Sequence, residues 1–145
     1  MDWFIALLLL AIALSGFLLL TLTQLILLRR HAENTRRRVD ALYLEAVQLV
    51  AALSIRLGDD AAMQKAVAAY LAARTKAEMD AAAEALRSAP LDCAPPDWLA
   101  GWILHLERIN FTKTFEAERR AAYNALAGKM PWRTVVALFH LQTQI

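Results

Sequence analysis

The sequence contains little of what disulfide-linked and β-sheet proteins need: one cysteine, four glycines and four prolines among 145 residues. A single cysteine excludes a disulfide framework within the chain. By contrast, 29 residues are alanine and 26 are leucine, both strong helix formers, and turn dipeptides are few. The composition predicts an all-α protein, while the length predicts one domain and excludes most large enzyme folds.

Charged side chains are missing from a long N-terminal stretch. All 26 positions from Trp3 to Leu28 are uncharged, and as a helix they would extend ~39 Å, more than the ~30 Å hydrocarbon core of a bilayer. We therefore predict a transmembrane anchor over residues 1–28, with some tilt. A cleaved signal peptide is the rival interpretation. The N-terminus lacks a basic segment, however, and the apolar run continues for twelve residues beyond Ser15-Gly16.

Positive charge is concentrated immediately after the apolar run. Residues 29–38 carry a net charge of +4 and residues 39–145 a net charge of −1, while Asp2 is the one charge on the other flank. The five arginines concerned are Arg29, Arg30, Arg36, Arg37 and Arg38. This asymmetry predicts a single-pass membrane protein with its N-terminus outside and its C-terminal domain in the cytoplasm. The arginines are interpreted mainly as topology determinants and alternatively as an anionic-lipid patch. Nucleic-acid binding is not expected, because no aromatic residues interleave the cluster.

The spacing of apolar residues predicts an antiparallel bundle of about four helices, the last one short, over residues 29–145. The first helix continues from the anchor to about residue 57, since no proline or glycine interrupts it after Gly16. A second, alanine-rich helix covers about 60–88 and is capped by Asp59 or Asp60. A third helix covers 97–128 with Asp97 as its N-cap, and a fourth starts at Pro131.

Short connections between these helices would return the proline-rich segment 88–96 to the membrane. Trp98 and Trp102 would then contact the interface, and Asp92 or Asp97 would approach the arginines. The alternative, which we favour, is that both tryptophans belong to the bundle core.

Motifs for catalysis or cofactor binding are missing from the sequence. It has no glycine-rich phosphate loop, no nucleophile elbow, no cysteine pair and no two histidines on one helix. His105 is interpreted as part of a surface cluster with Glu107 and Arg108, and Cys93 as a passive thiol. Two interpretations of Asn110 stay open. It follows Leu106 along an apolar stripe, so it is either buried in the core with hydrogen-bond partners or exposed to solvent. We predict no enzymatic activity, metal, cofactor or small-molecule substrate.

Two segments resemble the LemA family of small bacterial membrane-anchored helical proteins. Arg38-Val39-Asp40, followed by Tyr43 and Glu45, resembles that family's Arg-Val-Asp, aromatic and acidic pattern. The C-terminal part resembles the family's Tyr-Asn, Pro and Ala-x-Phe ending through Tyr123, Asn124, Pro131, Ala137 and Phe139. Ala73-Arg74 matches a weaker Ala-Arg element.

The chain also departs from the family pattern. Val50-Ala51-Ala52-Leu53 replaces a basic and Asn-Leu-Val portion, and the first of two Tyr-Asn pairs is missing near Phe115-Glu116. The resemblance implies a short, divergent member of the family, anchored in the bacterial cytoplasmic (inner) membrane, with a cytoplasmic bundle and no catalytic residues. Packing roles suffice for the matched positions: Tyr123 would dock with its hydroxyl satisfied, and Asn124 would bond locally.

Three functions remain as hypotheses. The leading one is a membrane-tethered scaffold that presents a helical surface to protein partners or to copies of itself. The second is a periplasm-facing envelope or lysis component of the spanin type, which the arginine flank opposes. The third is a small hydrolase that uses His105 or Cys93.

Overall fold

The computed structural model describes residues 2–56, 60–88, 94–129, 132–139 and 141. Five helices occupy these ranges: α1 (Asp2–Arg56), α2 (Ala61–Ala72), α3 (Lys76–Ser88), α4 (Pro96–Ala127) and α5 (Trp132–Leu138). The described residues contain no strand. The all-α prediction is therefore confirmed, with five helices where about four were expected.

Helix α1 is a single rod of 55 residues, as the uninterrupted apolar and helical pattern predicted. Its serine and threonine residues do not break it, because each donates its hydroxyl to a carbonyl of the preceding turn. Thr21 Oγ1 donates to the Phe17 carbonyl at 2.7 Å, and Thr35 Oγ1 donates to the His31 carbonyl at 2.8 Å. A buried threonine can satisfy its hydroxyl in this way without leaving the helix.

The predicted second helix over 60–88 is wrong in one respect, since the structure breaks it into α2 and α3. Ala73 is extended, with φ −63° and ψ 133°, which ends α2. Thr75 and Glu78 then form a reciprocal capping box: Thr75 Oγ1 accepts from the Glu78 amide at 3.2 Å, and Glu78 Oε2 accepts from the Arg74 and Thr75 amides. The Thr-x-x-Glu spacing was visible in the sequence as a helix-start signal inside the alanine-rich run.

The other helix ends agree closely with the predictions. Asp60 is the N-cap of α2, where its carboxylate accepts from the Ala62 and Met63 amides at 2.9 and 3.3 Å. Helix α4 begins at Pro96, so Asp97 lies in its first turn and is not the cap. The predicted starting residue of the last helix, Pro131, lies outside the described residues, as do Asp92 and Cys93.

The chain divides into two compact units, residues 1–36 with 114–145, and residues 37–113. In the second unit, parts of α1 and α4 pack together with α2 and α3. Its largest buried side chains include Tyr70 and Trp102, whose rings meet edge to face with centroids 5.5 Å apart, while Trp98 stacks on Trp102 at 5.5 Å. The bundle-core interpretation of Trp98 and Trp102 is thus confirmed.

Helices α1 and α4 run antiparallel within the second unit. The Trp98 indole N–H donates to the Leu49 carbonyl at 2.9 Å, and the His105 ring bonds the Leu42 carbonyl at 2.8 Å. Trp98 therefore lies beside a residue that is about 16 Å along α1 from Arg38. The prediction that the helix after the proline-rich segment starts at the arginine end is wrong for Trp98, because the break at Ala73 divides the predicted second helix into α2 and α3, which pack against each other. Residues 89–93 of the segment lie outside the described residues.

The first unit has its own small core, built from one face of α1, the end of α4 and α5. Its buried apolar residues are Leu25, Tyr123, Ala127, Val135 and Val136. Leu18, Leu22 and Leu28 pack against them from α1. One face of the last third of the apolar run is thus covered by protein.

The capping box should contribute measurably to helix content and stability. We expect Thr75→Ala to lower the free energy of unfolding by about 1 kcal/mol, because one amide at the start of α3 loses its acceptor. Circular dichroism during thermal unfolding in detergent would measure this change. The matched control is Thr112→Ala, since the Thr112 hydroxyl bonds only the preceding turn, to the Arg108 carbonyl, and its removal should be nearly neutral. Equal effects of the two substitutions would contradict the capping role.

Candidate functional site

The most exposed apolar surface of the protein is the N-terminal part of α1. Every residue from 3 to 17 is exposed, including Trp3, Phe4, Ile12 and Phe17. Among the described residues, α1 is the one helix that is long and apolar enough to cross a membrane. Signal sequences and core helices meet the same criterion. A core helix would be covered, however, and here only 6% of the most apolar window is buried.

The five arginines that follow the apolar run do not form one flat patch. At 3.6 residues per turn, Arg29 and Arg36 share one side of α1, Arg30 and Arg37 lie about a quarter turn away, and Arg38 faces away from Arg29. Arg29 donates to Glu33 at 2.9 Å, while the other four are exposed. Charge spread over about half of the helix circumference favours the topology interpretation over a flat lipid-binding face.

A polar cluster connects α1, α3 and α4 in the second unit. The Tyr43 hydroxyl donates to Asp80 Oδ1 at 2.6 Å, and Lys113 Nζ donates to Asp80 Oδ2 at 2.6 Å. The Lys76 ammonium pairs with Asp40. The two lysine ammonium groups lie 5.7 and 5.9 Å from the centroid of the Tyr43 ring, within the range of a cation–π interaction.

The environment of this cluster shifts two pKa values in the same direction. Burial, with a further contribution from the Asp80 hydrogen bond, raises the pKa of Tyr43. The hydrogen bond to Asp80 raises the pKa of Lys113. Both groups are thus held in their protonated forms, and Asp80 serves as their common acceptor. Because the Asp80 and Lys113 side chains are about two-fifths exposed, solvent screens much of their attraction.

A groove of about 290 Å³ opens between α3 and α4 beside this cluster. Its apolar residues are Ala83, Ile103, Leu106 and Ile109, and its polar residues are Asp80, Glu84, Arg87, Glu107, Asn110 and Lys113. Asn110 is exposed here, which decides between the two interpretations of that residue. The described residues contain no group of three or more side chains suited to a metal ion.

His105 is buried between α1 and α4 and is not part of a surface cluster, so that prediction is wrong. Only 5% of the residue is exposed. Since the Leu42 carbonyl can only accept, the Nε2 atom of His105 carries the proton and donates it. The nearest acid is Glu45, 4.0 Å from Nδ1. This geometry gives His105 a packing role in the helix contact.

The residues of the LemA-like pattern divide between core and surface. Val39, Tyr43 and Tyr123 are buried, whereas Asp40, Arg74, Ala137 and Phe139 are exposed. Arg74 contributes its backbone amide to the capping box. The side-chain oxygen of Asn124 is buried without a hydrogen-bond partner, contrary to the local bond expected for it.

No protein-family model, curated protein or solved structure matches the chain. The likeness to the LemA family accordingly remains an inference from the residues quoted above. The sequence identified Tyr43 and Asp40 through that resemblance but missed Lys76, Asp80 and Lys113. The local sequence offers one signal for these three residues. Each is charged at a position where the helical spacing would otherwise continue a buried apolar face.

All three tyrosines of the chain should make folding stability decrease at high pH. Burial raises the pKa of Tyr70 to about 12, and it also raises the pKa values of Tyr43 and Tyr123. The unfolded chain therefore loses its tyrosine protons near pH 10, before the folded chain does. The raised pKa values therefore contribute their full share to the free energy of unfolding below pH 10, and this contribution disappears as the pH rises towards 12. For Tyr70 it amounts to about 2–3 kcal/mol.

Tyrosinate absorbance in the near ultraviolet, followed together with helix content, would measure these transitions. Tyr70→Phe should remove the absorbance transition at the highest pH, whereas Tyr43→Phe should leave that transition unchanged. Ionisation of all three hydroxyls near pH 10 in the folded protein would contradict the burial argument.

Proposed function

We propose that the protein is a membrane-anchored, non-enzymatic helical scaffold with a cytoplasmic bundle, resembling the LemA family. The single observation that carries the proposal is the continuity of α1. One helix contains a bare apolar segment at residues 3–17 and, from Val39 to Leu53, the buried face of the bundle. A bare apolar rod of this length would aggregate in water, and a bilayer is the environment that fits it.

Charge supports the proposed orientation. The five arginines directly follow the apolar run, and Asp2 is the one charge before it. The bias towards cytoplasmic arginine supports a cytoplasmic location for residues 29–145. A periplasm-facing component of the spanin type has the opposite orientation and is the alternative.

An exposed apolar stripe on α4 supports the scaffold role. Leu104, Phe111 and Phe115 are exposed, and their spacing of seven and four residues aligns them on one side of the helix. Exposed aromatic side chains in a row are typical of interaction surfaces. We propose that this stripe contacts a protein partner or a second copy of the chain.

Reporter fusions after Ile145 test the orientation. We expect a cytosolic fluorescent protein to be fluorescent there and alkaline phosphatase to be inactive, because the positive flank retains the C-terminus in the cytoplasm. The chain should also remain in the membrane after carbonate washing. Active phosphatase would favour the spanin-type alternative, and extraction by carbonate would contradict the anchor itself.

Photocrosslinking tests the partner surface. A photoreactive phenylalanine in place of Phe111 should give a discrete crosslinked product in native membranes, since this side chain is 75% exposed. Ala121, also exposed on α4 but on a different side, is the matched control position and should give none. The absence of any product at Phe111 would contradict the scaffold proposal without affecting the anchor.

A further inference from the structure

The apolar run of α1 is longer than a membrane requires. A span needs about 20 residues, so one that begins at Trp3 is complete near Leu22. The uncharged run continues to Leu28, and its last turns lie at the cytoplasmic surface of the bilayer if the proposed anchor is correct.

Protein packs against this same part of the run. Residues 3–17 are exposed on all sides, whereas Leu18 and Leu22 are partly covered and Leu25 is completely buried. Their cover is the core of the first unit, which includes Val135 and Val136 of α5. Helix α5 thus packs beside the end of the proposed span, which lies where headgroups meet acyl chains if the anchor is correct.

Exposed apolar side chains lie at the C-terminal end of α5 and just after it, and exposed basic side chains lie near its start. Leu138 is 68% exposed and Phe139 is 46% exposed. Lys129 and Arg133, the basic residues just before and within α5, are also exposed. A short element with outward apolar groups and adjacent cations is suited to the interface of an anionic membrane.

We propose that α5 is a second membrane contact, in which Leu138 and Phe139 insert at the inner surface of the bilayer and Lys129 and Arg133 meet anionic headgroups. This inference rests on the proposed anchor. A lipid surface is favoured over a protein partner because α5 packs against the end of the proposed span, so its exposed side chains lie near the lipid that would surround α1. The C-terminal part of the chain is then held at the membrane by contacts of its own.

Site-specific fluorescence in vesicles tests the contact on the full-length chain. In a Cys93→Ala background, Leu138→Cys is labelled with an environment-sensitive dye and reconstituted into phosphatidylcholine vesicles, with or without phosphatidylglycerol, that contain brominated lipid. We expect a blue shift and loss of emission by quenching, both larger with phosphatidylglycerol. Two controls frame this result: Leu8→Cys lies within the proposed span, and Ala100→Cys is exposed on α4 in the second unit.

The outcomes separate this inference from the anchor. If Leu8→Cys is quenched and Leu138→Cys is not, the anchor stands and the second contact is wrong. If neither is quenched, the anchor is wrong. A blue shift at Leu138→Cys without quenching, which grows with the protein-to-lipid ratio, would show that a second chain covers the site and would overturn the proposal. The same measurement with Phe139→Cys is a control, because replacing Leu138 could itself disrupt the local structure.

Discussion

Each of the two units depends on a buried stripe along α1. In the first unit the stripe includes Thr21, Leu25, Ala32 and Thr35, and in the second unit it includes Val39, Leu42, Ala46, Val50 and Leu53, at intervals of three, four or seven residues. This is the spacing at which side chains stay on one side of a helix that packs against a partner. Because α1 is one continuous helix from Asp2 to Arg56, the proposed anchor and the bundle share one element.

Aromatic residues make it possible for the alanine-rich helices to pack. Helices α2 and α3 have few large apolar side chains, and alanine alone buries little area. Trp102 is fully buried against Tyr70 of α2, and Trp98 covers its other side while bonding the Leu49 carbonyl of α1. The bulky residues of α4 therefore fill the space that the alanines leave, and α2 and α3 hold their hairpin by tertiary contact rather than by intrinsic stability.

The polar cluster around Asp80 gives the bundle a contact that apolar packing does not provide. Tyr43 and Lys113 reach the same carboxylate from two different helices, and Lys76 adds a pair with Asp40. Such directional bonds hold only when α1, α3 and α4 are in one register, whereas apolar faces tolerate small shifts.

The sequence alone determined the properties that depend on neighbouring residues. These include the helical class, the long first helix, the Asp60 cap and the charge asymmetry around the apolar run, because periodicity, capping and composition act within a few turns. The Thr75–Glu78 capping box belongs to the same group, although the alanine-rich pattern around it hid the break at Ala73.

Tertiary structure alone decided which distant residues meet. His105 has charged neighbours in the sequence but packs on Leu42, 63 positions away. Asp80 meets Tyr43 and Lys113, which lie 37 and 33 positions from it. Likewise, α5 packs against the end of the apolar run because α4 ends beside that part of α1. No local pattern encodes these contacts, because they depend on the direction in which each helix returns after its turn.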